Sequence, residues 1–158
     1  MPKVLIAYYS RSGHTKAMAD LVAEGVKAAS CDVVVSDVEN VSADDLLDYD
    51  GLILGSPTYY GHMSWQAKRL LDASVKHHGK LEGKVGGAFT SSANVGGGNE
   101  TTVRGIIDAF LIHGMIVPGM SKGDHYGPVA VNAPDDRAAT NCRRMGETVG
   151  SLCAKLFG

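Results

Sequence analysis

Short apolar runs alternate with amphipathic segments along the whole chain, and that alternation leaves few folds open. The runs are Val4–Tyr9 (VLIAYY), Asp32–Ser36 (DVVVS), Gly51–Gly55 (GLILG), Lys84–Thr90 (KVGGAFT) and Met115–Val117 (MIV). They read as continuous strands buried on both faces, as in a parallel sheet. Between them lie helical patterns. Thr15–Ala29 carries Met18, Leu21, Val22, Gly25 and Val26 on one side, and Met63–Val75 carries Met63, Ala67, Leu70 and Leu71. Glu100–His113 carries Val103, Ile106, Ile107, Phe110 and Leu111. A last helix begins after Asn132, with Pro134 near its first position and acids in its first turn; Cys142, Met145, Val149, Leu152 and Leu156 form its stripe. Gly119–Ala133 shows no periodicity.

A strand–helix unit repeated five times predicts an α/β fold in three layers. The sheet is doubly wound, parallel and five-stranded, in the order 2-1-3-4-5. The length of 158 residues predicts one domain over residues 1–158. A net charge of −2 argues against nucleic acid as a partner. No apolar run reaches the roughly 20 residues of a membrane span, and the N-terminus lacks a signal-peptide pattern, so a cytoplasmic protein is expected. The three cysteines, Cys31, Cys142 and Cys153, form no C-x-x-C and fit a reducing compartment. Cys142 and Cys153 stand eleven apart and should share a buried helix face. No metal site is expected.

In such sheets ligands bind beyond the carboxyl ends of the strands, where strand order reverses. Three connections there have unusual composition. The first, Ser10-Arg11-Ser12-Gly13-His14-Thr15, offers three hydroxyls and a glycine and opens directly into a helix. An ordinary capped helix start would look similar. Three hydroxyls after a buried strand point instead to a phosphate held at a helix N-terminus. Neither a Walker loop nor a G-x-G-x-x-G fingerprint is present. The second, 56–64, contains Pro57, Thr58, Tyr59, Tyr60 and Gly61. Its tyrosines can stack on a flat ring or pack on a neighbouring loop. Gly61 can turn its peptide to present either a carbonyl or an N–H. The third, 90–99, contains Ser91, Ser92, Ala93, Asn94, Val95, Gly96 and Gly97. Three successive glycines, ending at Gly98, are costly to order unless a backbone must approach something closely. A phosphate at one end and a clamped flat ring at the other describe a mononucleotide with a planar head, and FMN fits.

Together S-R-S-G-H-T, G-S-P-T-Y-Y-G-H-M-S, S-S…G-G-G-N-E-T-T and I-H-G-M-I-V-P-G resemble the flavodoxin-like superfamily, in particular WrbA-type NAD(P)H:quinone oxidoreductases. The resemblance runs along nearly the whole chain. It implies FMN as cofactor, NAD(P)H as electron donor, a quinone-like acceptor and a homodimer or homotetramer. It places the phosphate on residues 10–15 and the ring and ribityl chain on 57–61 and 91–97. It places His113 near the pyrimidine side of the ring, from the same chain or across a subunit interface. Tyr60 and Gly61 would pack and contact the reacting ring. His113 has an alternative as a helix C-terminal cation before Gly114. His125-Tyr126 reads equally as a lid over the ring or as an ordinary loop, and His77-His78 reads as a solvated helix end.

The chain departs from this family in having short segments after the second strand and around the fifth. It has Ile112-His113 where many members have two histidines. Its only tryptophan, Trp65, follows the second loop. The competing function is a flavodoxin-type carrier of single electrons to redox-protein partners. Carriers oppose the second reduction partly by surrounding the anionic reduced flavin with carboxylates. Loops 56–64 and 90–99 contain no Asp or Glu, which favours two-electron chemistry. A flavin-free receiver domain of the same sheet order would need acids where Tyr8-Tyr9-Ser10 and Gly55-Ser56-Pro57 stand.

Overall fold

A computed structural model describes residues 1–158. Five parallel strands, β1 (Lys3–Tyr8), β2 (Asp32–Asp37), β3 (Gly51–Pro57), β4 (Val85–Ser92) and β5 (Val129–Val131), form one sheet in the order β2-β1-β3-β4-β5. Four helices cover it: α1 (His14–Ala28), α2 (Trp65–Ala73), α3 (Asn99–Ile112) and α4 (Asp136–Phe157). One core, built on Val4, Ile6, Ile53 and Phe89, lies under α1 and α4. The other, built on Leu5, Leu52, Leu54 and Ala88, lies under α2 and α3. This is the doubly wound sheet that the alternating runs predict. No helix is long and apolar enough to cross a membrane.

The fifth strand is not where the sequence places it. Met115–Val117 contributes one isolated parallel bridge, Val85 to Ile116. Pro118 follows, and a proline has no N–H with which to continue a ladder. The chain loops out and returns as β5, which pairs with Thr90–Ser92 at the other end of β4. Gly127 makes the return possible. Its φ is 143°, and a Cβ there would lie 2.1 Å from the Ala88 carbonyl oxygen. Asp124 secures the excursion, accepting from Arg137 at 2.7 Å and from the Val129 N–H at 3.0 Å. Nothing in the composition of Gly119–Ala133 announces a three-residue strand.

The repeat is also incomplete. Between β2 and β3 there is no α-helix but two 3₁₀ turns, Val38–Asn40 and Asp45–Asp48. Side chains claim the backbone there: Asp37 accepts from the Glu39 N–H, and Asp45 from the Ser42 N–H. Such local bonds compete with a helix. Pro134 stands outside α4, whose cap is Asp135, accepting from the Ala138 N–H at 2.8 Å. Leu111 and Leu156, assigned to inward stripes, are exposed. The buried stripe of α4 is Cys142, Met145, Gly146, Val149, Gly150 and Cys153.

Cys142 and Cys153 therefore do share a buried face, and burial pushes both thiols up to about 12. Cys31 is buried and also raised, by desolvation first. The thiolate is the nucleophile, so all three should ignore a thiol reagent such as DTNB at pH 8 in the native protein and react only in denaturant. Rapid labelling of a native thiol would contradict this packing.

Candidate flavin site

The three loops meet at the carboxyl ends of β1, β3 and β4. In the first, Ser10 Oγ accepts from the Gly13 N–H at 3.1 Å and the Lys16 N–H at 3.2 Å. Gly13 caps α1 in the left-handed region (φ 93°), with open space where a side chain would stand. The N–H groups of Arg11, Ser12, His14 and Thr15 have no acceptor within the chain. Thr15 is buried, and its hydroxyl has no partner either. A cluster of free amides at the positive end of a helix, with the unused hydroxyl of Thr15 beside it, is chemically matched to a phosphate.

The second loop is a tight hairpin. Tyr59 and His62 exchange both backbone bonds (2.7 and 3.0 Å), and Tyr60 and Gly61 between them have φ of 48° and 82°. Two successive positive φ values define a type I′ turn. A tyrosine is strained there, and its ring stands fully in solvent. The Gly61 carbonyl is already taken, by the Thr101 hydroxyl at 2.5 Å. The Gly61 N–H remains without an acceptor in the chain.

The third loop leaves β4 through Ser91 and Ser92, whose hydroxyls donate to Asn132 O and Asn94 O. Ala93, Asn94 and Val95 are then exposed, and Gly96-Gly97-Gly98 lead into α3. Gly98 explains part of the glycine run: a Cβ there would lie 2.5 Å from Gly61 Cα. The second and third loops thus touch backbone to backbone. Beneath them the hydroxyls of Thr58, Thr90 and Thr102 cluster, Thr58 lying 3.0 Å from Thr90 and 3.1 Å from Thr102. The sequence reading missed Thr101 and Thr102. Their signal was the N-E-T-T that directly follows the glycines.

The structure brings together residues 10–15, 57–61 and 91–97, but not His113. His113 follows α3, whose 14 residues begin beside the third loop; the helix spans about 21 Å at 1.5 Å per residue. His113 therefore lies at the opposite end of the sheet within its own chain. It is buried, its Nε2 sits 2.7 Å from Ser74 Oγ, and its Nδ1 has no partner. It is not an exposed C-terminal cation either. The Tyr126 ring lies on the Arg104 guanidinium, 5.4 Å from it. His77 is no solvated helix end: it is buried, with Nε2 2.7 Å from Asp44 Oδ1, tying the segment after α2 to the turn after β2.

Burial, with His78 nearby, holds His113 below its ordinary value of 6.5. Between the folded and unfolded values the unfolded chain holds a proton that the folded chain refuses. Stability from this group is complete above about 6.5 and declines as pH falls through the window below it. Thermal melts at pH 7.5 and 5.5 should show that loss, and His113→Gln should reduce the difference. An unchanged difference would mean that other groups set the slope.

A doubly wound sheet with a first loop matched to a phosphate and two further loops joined at the switch point is the architecture of a flavodoxin-type protein. The chain belongs to the flavodoxin domain family, whose model matches residues 5–102. It is 37% identical to a protein named flavodoxin from Aquifex aeolicus, over 98% of this chain and 88% of that one. It is 39% identical to a protein named NAD(P)H dehydrogenase (quinone) from Sinorhizobium fredii, over 99% of each. A solved flavodoxin, WrbA-like protein from Agrobacterium tumefaciens superposes with a TM-score of 0.83 at 28% identity, over 98% of this chain and 99% of that one.

Proposed function

We propose that this protein is an FMN-dependent oxidoreductase that passes two electrons from NAD(P)H to a quinone or similar acceptor. Bound FMN supplies the redox chemistry, taking electrons from the donor and yielding them to the acceptor. The chain supplies position and charge. Residues 10–15 bind the phosphate through free amides and the Ser12 and Thr15 hydroxyls. Residues 57–61 and 91–97 hold the ring and ribityl chain, with the Gly61 N–H free to donate to the ring edge. Tyr59 and Tyr60 shield the ring from water. Proteins named NAD(P)H dehydrogenase (quinone) among the relatives, at 33–39% identity over the full chain, support the activity. Three buried, reduced thiols suit a cytoplasmic location, and exposed Leu111 and Ile112 at the end of α3 support a homodimer or homotetramer.

One observation carries the choice of chemistry. The three loops contain Arg11, His14 and His62 and no carboxylate. Cationic and neutral surroundings stabilise a negatively charged reduced ring, which brings the second electron close in free energy to the first. A potentiometric titration of the FMN-loaded protein should therefore take up two electrons in one step. Two well-separated steps, with no NAD(P)H–quinone turnover, would establish the alternative, a carrier of single electrons. A specific observation favours that alternative. The alignment to the Azorhizobium caulinodans quinone dehydrogenase spans 199 positions against 158 residues here, so that relative carries segments this chain lacks.

A further inference from the structure

Beside the first two loops runs an open groove of about 390 Å³, lined by Tyr9, Arg11, Tyr59, Ser64, Trp65 and Gln66. No Asp or Glu lines it. Trp65 opens α2 and leaves 63% of its surface in solvent, although a residue of its size is ordinarily well covered. Arg69, one helical turn on, lies over the indole at 5.4 Å, and the ring still keeps most of its surface in solvent. Arg11 and Arg69 make no ion pair and no side-chain hydrogen bond. The neighbouring acids are already engaged, Asp20 by Lys16 at 2.8 Å and Asp72 by Lys68 at 2.6 Å. Trp65 therefore offers a flat aromatic platform with two uncompensated guanidinium groups beside it, Arg11 lining the groove and Arg69 stacked on the indole.

Such a surface matches a ligand that is planar at one point and polyanionic beside it. Aromatic faces stack bases, and arginine forks bind phosphate oxygens in pairs. The FMN phosphate is already provided for by the amides of the first loop, so these groups serve another nucleotide. We infer that the groove binds the adenine-nucleotide end of the electron donor, the base on Trp65 and phosphate charge on Arg11 and Arg69. This rests on the proposed NAD(P)H oxidoreductase reading and adds the donor's binding determinants to it. Binding energy gathered there, far from the reacting atoms, orients the nicotinamide end.

Trp65 is the chain's only tryptophan, so its emission reports on the groove directly. In the FMN-loaded protein, ADP-ribose and 2′,5′-ADP are titrated against that emission. Saturable quenching is expected. Stronger quenching by 2′,5′-ADP assigns the guanidinium groups to a 2′-phosphate and NADPH; stronger quenching by ADP-ribose assigns them to the pyrophosphate. In turnover, the ratio of kcat/KM for NAD(P)H to that for an N-alkyl dihydronicotinamide, which has no nucleotide end, should fall about tenfold in Trp65→Ala and in Arg69→Ala. Trp65→Phe should restore most of it. No change in emission with either nucleotide, or a ratio unmoved by Trp65→Ala, overturns the inference. The emission titration needs no turnover. A protein that binds nucleotide but oxidises no NAD(P)H would keep the groove and lose the oxidoreductase reading.

Discussion

FMN is expected to bind this protein at least a hundredfold more tightly than riboflavin. The two ligands differ only in the phosphate, and the first loop is built around one. Four backbone N–H groups, at Arg11, Ser12, His14 and Thr15, have no acceptor within the chain. They stand at the positive end of α1, beside the unpartnered hydroxyl of the largely buried Thr15. A hydrogen bond to a charged group contributes about 1.5–3 kcal/mol. Two such bonds, net of the phosphate's lost hydration, amount to about 3 kcal/mol, or roughly a hundredfold. Thr15→Val keeps the shape and removes one donor; it should weaken FMN by about tenfold or more and leave riboflavin nearly unaffected. Quenching of flavin emission on titration with protein measures both affinities. Equal affinity for the two flavins would refute the phosphate assignment.

Gly146→Val should lower stability by about 3 kcal/mol or more, the upper part of the range for overpacking a core. Helices α1 and α4 lie against each other with backbones in contact. A Cβ on Gly146 would fall 2.1 Å from Val22 O and 2.9 Å from Val26 N, and one on Gly25 would fall 2.0 Å from Arg143 O. No rotamer change relieves a clash with main chain. The helices must separate, opening the core that holds Met18, Val22, Cys142 and Val149. Urea unfolding should show a lower midpoint at an unchanged slope. Gly119→Ala, with nothing within 4 Å of the added methyl, should stay within about 0.5 kcal/mol of the wild type. A Gly146→Val midpoint as high as that of Gly119→Ala would mean that the helices do not touch as described.

Strands β1, β3 and β4 were legible because a strand buried on both faces must be apolar throughout, whatever packs on it; β2, at the sheet edge with Val34 exposed, was legible from its run of β-branched valines. The donors of the first loop were legible for a similar reason: its amides and hydroxyls lie consecutively, so local chemistry describes them. The fifth strand was not legible. Val129–Val131 forms only because Pro118 ends the first approach to β4 and Gly127 allows a second. Both facts concern a partner strand some forty residues earlier in the chain. His77 and His113 misled for a related reason. Each follows a helix, where exposure is usual, and each is buried by a contact distant in sequence, with Asp44 and with Ser74.

By itself the sequence determined four strands of the sheet, their order and the composition of three loops at its switch point. Those features rest on periodicity and on consecutive residues. Only the tertiary structure decided which candidate residues share the site. It joined Gly61 to Gly98 and brought Thr101 and Thr102 under the ring loops. It removed His113 to the far end of the sheet, because a helix about 21 Å long carries the chain across. It also turned YYSRSGHT from a phosphate loop alone into one wall of a second groove, since Tyr9 and Arg11 meet Trp65 only after β3 has been laid beside β1.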